Sequence, residues 1–113
     1  MPLRDLSPDE RETVRTCVRA AAEGPFFPDE EFQTIFGLSR EQVREVAERW
    51  SVNDKSDEAA RLAINNALNN LLGYPHGCEQ EWPRYIPVSE AEVARLLRKY
   101  RGDQSGSYFD NLM

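Results

Sequence analysis

Serine followed three residues later by Glu or Gln occurs at Ser7–Glu10, Ser39–Gln42 and Ser89–Glu92. In that spacing the serine oxygen accepts from a backbone N–H of the first helical turn. The longer side chain reaches back to the serine N–H, so two donors that a helix start leaves unpaired are satisfied together. The last two boxes are each bracketed by apolar residues, Leu38 with Val43 and Val88 with Val93, placed to staple the entering chain onto the helix. A chain with three helix starts so marked, and apolar residues recurring every three to four positions, is confined to an all-α architecture.

The spacing predicts a first helix from Pro8, with Val14, Cys17, Val18 and Ala21 on its apolar face, ended by Gly24-Pro25. A short second helix starts near Pro28, with Asp29, Glu30 and Glu31 at its positive end and Phe32, Ile35 and Phe36 inside; Gly37 stops it. The third runs from Ser39 to Trp50, and residues 51–55 read as a linker. The fourth spans about 56–72, capped by Asp54, Ser56 or Asp57, with Ala60, Ile64, Ala67, Leu68 and Leu71 as its stripe. Residues 74–88 are irregular. The last helix carries Leu96, Leu97 and Tyr100 and ends at Gly102. The expectation is a single-domain bundle of five to six helices over residues 1–102, followed by a flexible tail, 103–113.

A 50-residue offset relates the two halves. It aligns Ser39 with Ser89, Val43 with Val93, Pro25 with Pro75, Arg11 with Arg61 and Glu31 with Glu81 without a gap. Val14 and Val18 then fall on Ile64 and Leu68, and Phe32 on Trp82. This arrangement predicts two pseudo-symmetric helical repeats, 7–50 and 57–100, with a short helix over about 79–85. Pro83 falls inside that element and argues against it.

Composition narrows the function classes. The chain has 113 residues, with 14 Lys and Arg against 20 Asp and Glu, a net charge of −6. Affinity for phosphates comes from excess cationic side chains, so nucleic acid is a disfavoured partner. Two cysteines, Cys17 and Cys78, cannot frame a disulfide scaffold. No apolar run approaches the roughly 20 residues that span a bilayer. The first residues lack an apolar leader segment, which points to a reducing cytoplasm. Arginine outnumbers lysine 12 to 2, the usage of a GC-rich bacterial genome.

Three features carry candidate chemistry. Residues 29–50 resemble the helix-turn-helix of bacterial DNA-binding regulators, with Phe36-Gly37-Leu38-Ser39 at the turn and Val43 and Val46 where the second helix packs. That resemblance implies a recognition helix carrying Arg40, Arg44 and Arg49. Gln33 departs from the small residue usual there, and Glu41, Glu45 and Glu48 interleave the arginines. The second feature is Asn65, Asn66, Asn69 and Asn70 on one helix. Each Asn costs about 0.6 kcal/mol against Ala, so four call for compensation: a recognition face, or hydrogen bonds to the irregular 74–88 backbone. The third is the aromatic stretch 74–85, with the only histidine, His76, beside Cys78. Its spacing fits no zinc pattern, and no cofactor or metal site is expected.

The combined expectation is a small, acidic, cytoplasmic bacterial protein that catalyses nothing and acts by protein–protein interaction, as an adaptor, inhibitor or immunity-type factor. Its candidate partner-binding residues are Asn66, Asn70, Tyr74, His76 and Arg84, and the partner is an unidentified protein. A homodimer is compatible with the same features. The alternative is DNA binding through residues 29–50.

Overall fold

The computed structural model describes residues 6–50 and 58–101. Six helices follow one another among them: α1 (Pro8–Glu23), α2 (Asp29–Phe36), α3 (Arg40–Arg49), α4 (Glu58–Gly73), α5 (Trp82–Tyr85) and α6 (Glu90–Arg101). The all-α bundle expected from the periodicity is what forms. The linker 51–55, the candidate caps Asp54, Ser56 and Asp57, and the tail 103–113 lie outside the described residues.

Local chemistry accounts for the helix starts. Ser7 Oγ accepts from Glu10 N–H at 3.1 Å and Ser7 N–H donates to Glu10 Oε1 at 2.8 Å. Ser39 and Gln42 repeat the arrangement at 3.2 and 2.8 Å. The third box is half formed. Glu92 N–H donates to Ser89 Oγ at 3.2 Å, but the Glu92 carboxylate accepts from Arg95 instead of reaching back. Gly37 ends α2 in the left-handed region, φ 71°, with its N–H on Gln33 O at 2.8 Å. A side chain there would be strained, so glycine suits the turn.

Helices α1 and α4 pack against each other at the centre, with α3 on α1 and α6 on α4. Small residues on the central pair, Ala20, Ala21, Ala63 and Ala67, are buried and let the backbones approach. Around them Val14, Val18, Phe26, Phe36, Val43, Ile64, Leu68, Leu71, Ile86, Val93 and Leu96 are fully buried. At about 25 cal/mol per Å² of apolar surface removed from water, such residues dominate the favourable side of folding.

The 50-residue offset is kept by the starts of α1 and α4, at Pro8 and Glu58, and of α3 and α6, at Arg40 and Glu90. It lapses between α2, eight residues long, and α5, four. No rotation superposing the halves follows from these boundaries. The expected short helix begins at Trp82 rather than 79, because Pro83 is tolerated only in a first turn, where its missing N–H has no helical partner to lose.

One charged cluster ties α6 to the start of α1. Glu10 accepts from Lys99 Nζ at 2.9 Å and Arg95 Nη2 at 2.9 Å while still capping Ser7. The Ser7 backbone N–H foremost, then Lys99 and Arg95, hold the Glu10 carboxyl down at about 2, against an ordinary value of 4.5. A depressed carboxyl stabilises the fold fully above its unfolded value, and that contribution fades as the pH falls through its folded one. Glu10→Gln is therefore expected to lower the urea midpoint at neutral pH. The gap between wild type and variant should close progressively as the pH drops from 4.5 toward 2.

Gly24 shows a different constraint. Its backbone is extended, but an added Cβ would lie 2.7 Å from Ala20 O and 2.9 Å from the Phe26 ring. Gly24→Ala is expected to cost about 1–3 kcal/mol by overpacking, read as a lowered urea midpoint with an unchanged slope.

Candidate functional site

The corner between α1, α2 and α3 is organised by one guanidinium. Arg40 Nη1 donates to Ala22 O at 2.8 Å and Nη2 to Phe27 O at 2.8 Å, so one side chain pairs a carbonyl from the end of α1 and another from the following loop. Its Nε and Nη2 also lie 3.0 and 2.7 Å from Asp29 Oδ1. The guanidinium stands 4.5 Å over the Phe32 ring, and Phe32 stacks on Phe36 with centroids 4.4 Å apart. The planar fork of Arg suits this combination of carbonyls, carboxylate and ring face; Lys could not reproduce it.

A surface cleft of about 630 Å³ opens beside this corner, with Gly24, Phe27 and Pro28 against Glu23, Asp29 and Arg44. A second hollow of about 380 Å³ adjoins it across Arg40, lined by Phe32, Gln33 and Glu41 among others. Arg44 Nε is 3.7 Å from Glu23 Oε2, a loose surface pair. From Glu23 to Arg49 the chain carries seven carboxylates against three guanidiniums, a net of −4. All seven (Glu23, Asp29, Glu30, Glu31, Glu41, Glu45 and Glu48) are exposed. Two-thirds of the chain's net charge of −6 therefore lies on this one corner and its two helices.

The five residues singled out from the sequence do not form one face. Asn66 Nδ2 donates to Phe36 O at 2.9 Å, closing the end of α2 onto α4. Asn70 Nδ2 donates to Asn66 O at 2.9 Å within its own helix. Asn65 and Asn69 accept from Arg101 at 2.9 and 3.4 Å. Three of the four thus bond α2 or α6, Asn70 bonds its own helix, and the 74–88 backbone takes none of these side-chain bonds. Asn65, Asn66 and Asn69 offset their poor helix propensity by bonding other helices.

His76, expected at the surface, is inside: its side chain is 4 % exposed. Nδ1 accepts from Cys78 N–H at 2.9 Å, which leaves the Nε2 proton for Leu71 O at 3.0 Å. The ring meets Phe26 edge-on at 5.1 Å. Sequence spacing missed this because an imidazole with both nitrogens satisfied is buried at little cost. The Cys78 thiol faces Pro25 O at 3.4 Å and His76 O at 3.3 Å, so thiol and imidazole are not paired with each other. Burial pushes the Cys17 thiol up to about 12 and leaves it inert. Among the described residues, no three His, Cys, Asp or Glu side chains converge as metal ligands.

Tyr74 is half-buried against the core, and Arg84 is exposed. Tyr74 rests against Phe27, with centroids 5.5 Å apart. Its phenol is pushed up by burial first, and then by its hydrogen bond to the Glu31 carboxylate. That bond places Tyr74 at the edge of the acidic corner. Arg84 is 77 % exposed and lies 3.3 Å from Glu81. Trp82 is buried and donates from Nε1 to Val88 O at 2.7 Å.

Asp29, Arg40 and Arg44 entered the sequence reading only within the DNA-binding alternative over residues 29–50, not among the partner-binding residues, although the acid cluster at 29–31 is visible in the sequence. Comparison with known proteins returned no matching family, no matching curated protein and no matching solved structure. No described helix is long and apolar enough to cross a membrane.

Arg40→Ala is expected to destabilise by about 2–3 kcal/mol, because the Ala22 and Phe27 carbonyls lose a charged donor. Exposed Arg98→Ala should stay within about 0.5 kcal/mol of wild type. Chemical denaturation of both variants checks the difference.

Proposed function

We propose that the protein acts by binding another protein, as an adaptor, inhibitor or immunity-type factor, and catalyses no reaction. The observation that carries this reading is the concentration of charge. Glu23 and Asp29 line the cleft of the α1–α2–α3 corner and Glu41 the hollow beside it, Glu30, Glu31, Glu45 and Glu48 are exposed on the two helices that form the corner, and the rest of the chain carries a net −2. Charge gathered on one surface steers a partner of opposite sign and excludes others. The corner behind it is rigid, since Arg40 and Asn66 spend their donors on backbone carbonyls, and a rigid surface loses little entropy on docking. Tyr74 joins the face through its hydrogen bond to Glu31, whereas Arg84 pairs with Glu81. A cytoplasmic, bacterial setting and the tandem-repeat origin of the two halves belong to the same proposal.

A second reading, DNA recognition through residues 29–50, draws on the glycine turn between α2 and α3 and on buried Leu38. The same carboxylates that would steer a protein would there meet phosphates, which ranks it below protein binding.

The test is capture of host proteins by the full chain. Replacing Glu30, Glu31, Glu45 and Glu48 by Gln should reduce the captured partner at least about tenfold at low salt, as expected when several charge pairs are lost. Tyr74→Phe should weaken capture, and Arg84→Ala should leave it intact. Undiminished capture by the four-Gln variant defeats the proposed face. A gel shift of duplex DNA at low salt favours the second reading.

A further inference from the structure

We propose that His76 is a proton-operated latch: on protonation its Nδ1 exchanges the Cys78 N–H for the Glu79 carboxylate, and the segment 74–81 loosens from the α1–α2 loop.

The neutral ring holds that segment at two points. Nε2 lies 3.0 Å from Leu71 O in the last turn of α4, and Nδ1 accepts from the Cys78 N–H at 2.9 Å. Gly77, at φ 67°, turns the chain between the ring and the amide that it accepts from. The side chain is 4 % exposed, and the Phe26 and Phe27 rings stand edge-on to it at 5.1 and 6.5 Å. Water is therefore poorly placed to replace a lost partner.

An imidazolium has no acceptor, because both nitrogens carry protons. A proton on Nδ1 sets two N–H groups against each other across 2.9 Å, so the Cys78 bond breaks. The Leu71 bond is kept, since Nε2 donates in either state. An acceptor for the new proton is already close: Glu79 Oε2 stands 3.8 Å from Nδ1, just beyond bonding range. The Glu79 side chain is 66 % exposed and has room to turn inward. The other titratable groups around the ring are the Cys78 thiol on its own segment, the Tyr74 phenol just past α4 with Glu30 and Glu31 of α2 beside it, and Tyr85 of α5 beyond Phe26. The α1–α2 loop presents the uncharged rings of Phe26 and Phe27.

Release of Cys78 reaches further than one amide. Its thiol donates to Pro25 O at 3.4 Å, and Phe26 packs on Trp82 and Tyr85 as well as on His76. Phe27 O, in the same loop, is an acceptor of Arg40. The latch thus links a proton at His76 to the loop that shapes the α1–α2–α3 corner, and it operates whether or not that corner binds a partner.

His76 is the chain's only histidine, so its ring signals are unambiguous in an NMR titration of the full chain. The range is about pH 8 to 5, where an imidazole ordinarily changes charge and carboxylates ordinarily do not. Ring carbon shifts report protonation. Exchange protection of the Cys78 amide, corrected for its intrinsic rate, reports the bond. Both should change with one midpoint, protection falling about threefold to tenfold for one lost hydrogen bond. His76→Gln, neutral throughout, should show no such fall. Glu79→Gln should move the midpoint to lower pH, because the imidazolium loses its carboxylate. Protection that stays constant while the ring titrates overturns the proposal. So does a ring that fails to titrate in this range, an unchanged midpoint in Glu79→Gln, or a fall in protection that persists in His76→Gln. Should His76→Gln not fold, the wild-type and Glu79→Gln titrations decide alone.

Discussion

The Arg40 guanidinium is the interaction on which the corner of the molecule depends. Three chain segments meet there: the last turn of α1 through Ala22 O, the connecting loop through Phe27 O, and the first residue of α2 through Asp29. These carbonyls end one helix and precede the next, so no backbone donor is available to them. A single planar cation supplies the donors, and Phe32 beneath it fixes the plane. The cleft takes its shape from this arrangement, with Glu23 and Asp29 lining it beside Arg40 and Arg44. Other arginines act similarly: Arg15 bonds Ala47 O at 2.7 Å near the end of α3, and Arg101 bonds Asn65. The high arginine count therefore has structural uses beyond any bias in codon choice.

The opposite connection is held by aromatic rings. Phe26 meets His76, Trp82 and Tyr85 edge-on at 5.1, 6.0 and 5.8 Å, so the α1–α2 loop packs on the segment between α4 and α6. Such edge-to-face pairs add about 0.5–1.5 kcal/mol beyond burial. His76 contributes as a ring with two hydrogen bonds, pinning residues 71 and 78 to each other's neighbourhood. The groups that looked most chemical in the sequence, the asparagines and the histidine, are thereby spent on architecture. The surface that stays charged and open is one whose individual residues look ordinary.

Legibility differed by level. Helix starts at Ser7 and Ser39 and the stop at Gly37 were readable because capping and positive-φ chemistry act over three or four residues. The half-formed box at Ser89 was not readable: Arg95 competes for Glu92, and that competition is settled by the fold, with Arg95 also reaching Glu10. The site was legible only as a charge balance. Glu23 and Asp29 are six residues apart, and Arg40 and Arg44 lie further on. Their meeting at one cleft depends on how α3 lies across α1, which no local pattern encodes.

The sequence by itself determined the class of fold, the places where most helices begin and end, and a net negative charge that disfavours phosphate partners. Its local rules work because capping, periodicity and proline geometry are decided within a turn or two of helix. Only the tertiary structure decided which polar groups face inward. Asn66 and His76 could have pointed to solvent with the same helices; packing placed a carbonyl within 3.0 Å of each. Once that carbonyl is cut off from water, pairing it outweighs exposure, since an unpaired buried group costs about 1–3 kcal/mol. The same packing left the α2 and α3 carboxylates outside, where hydration holds them.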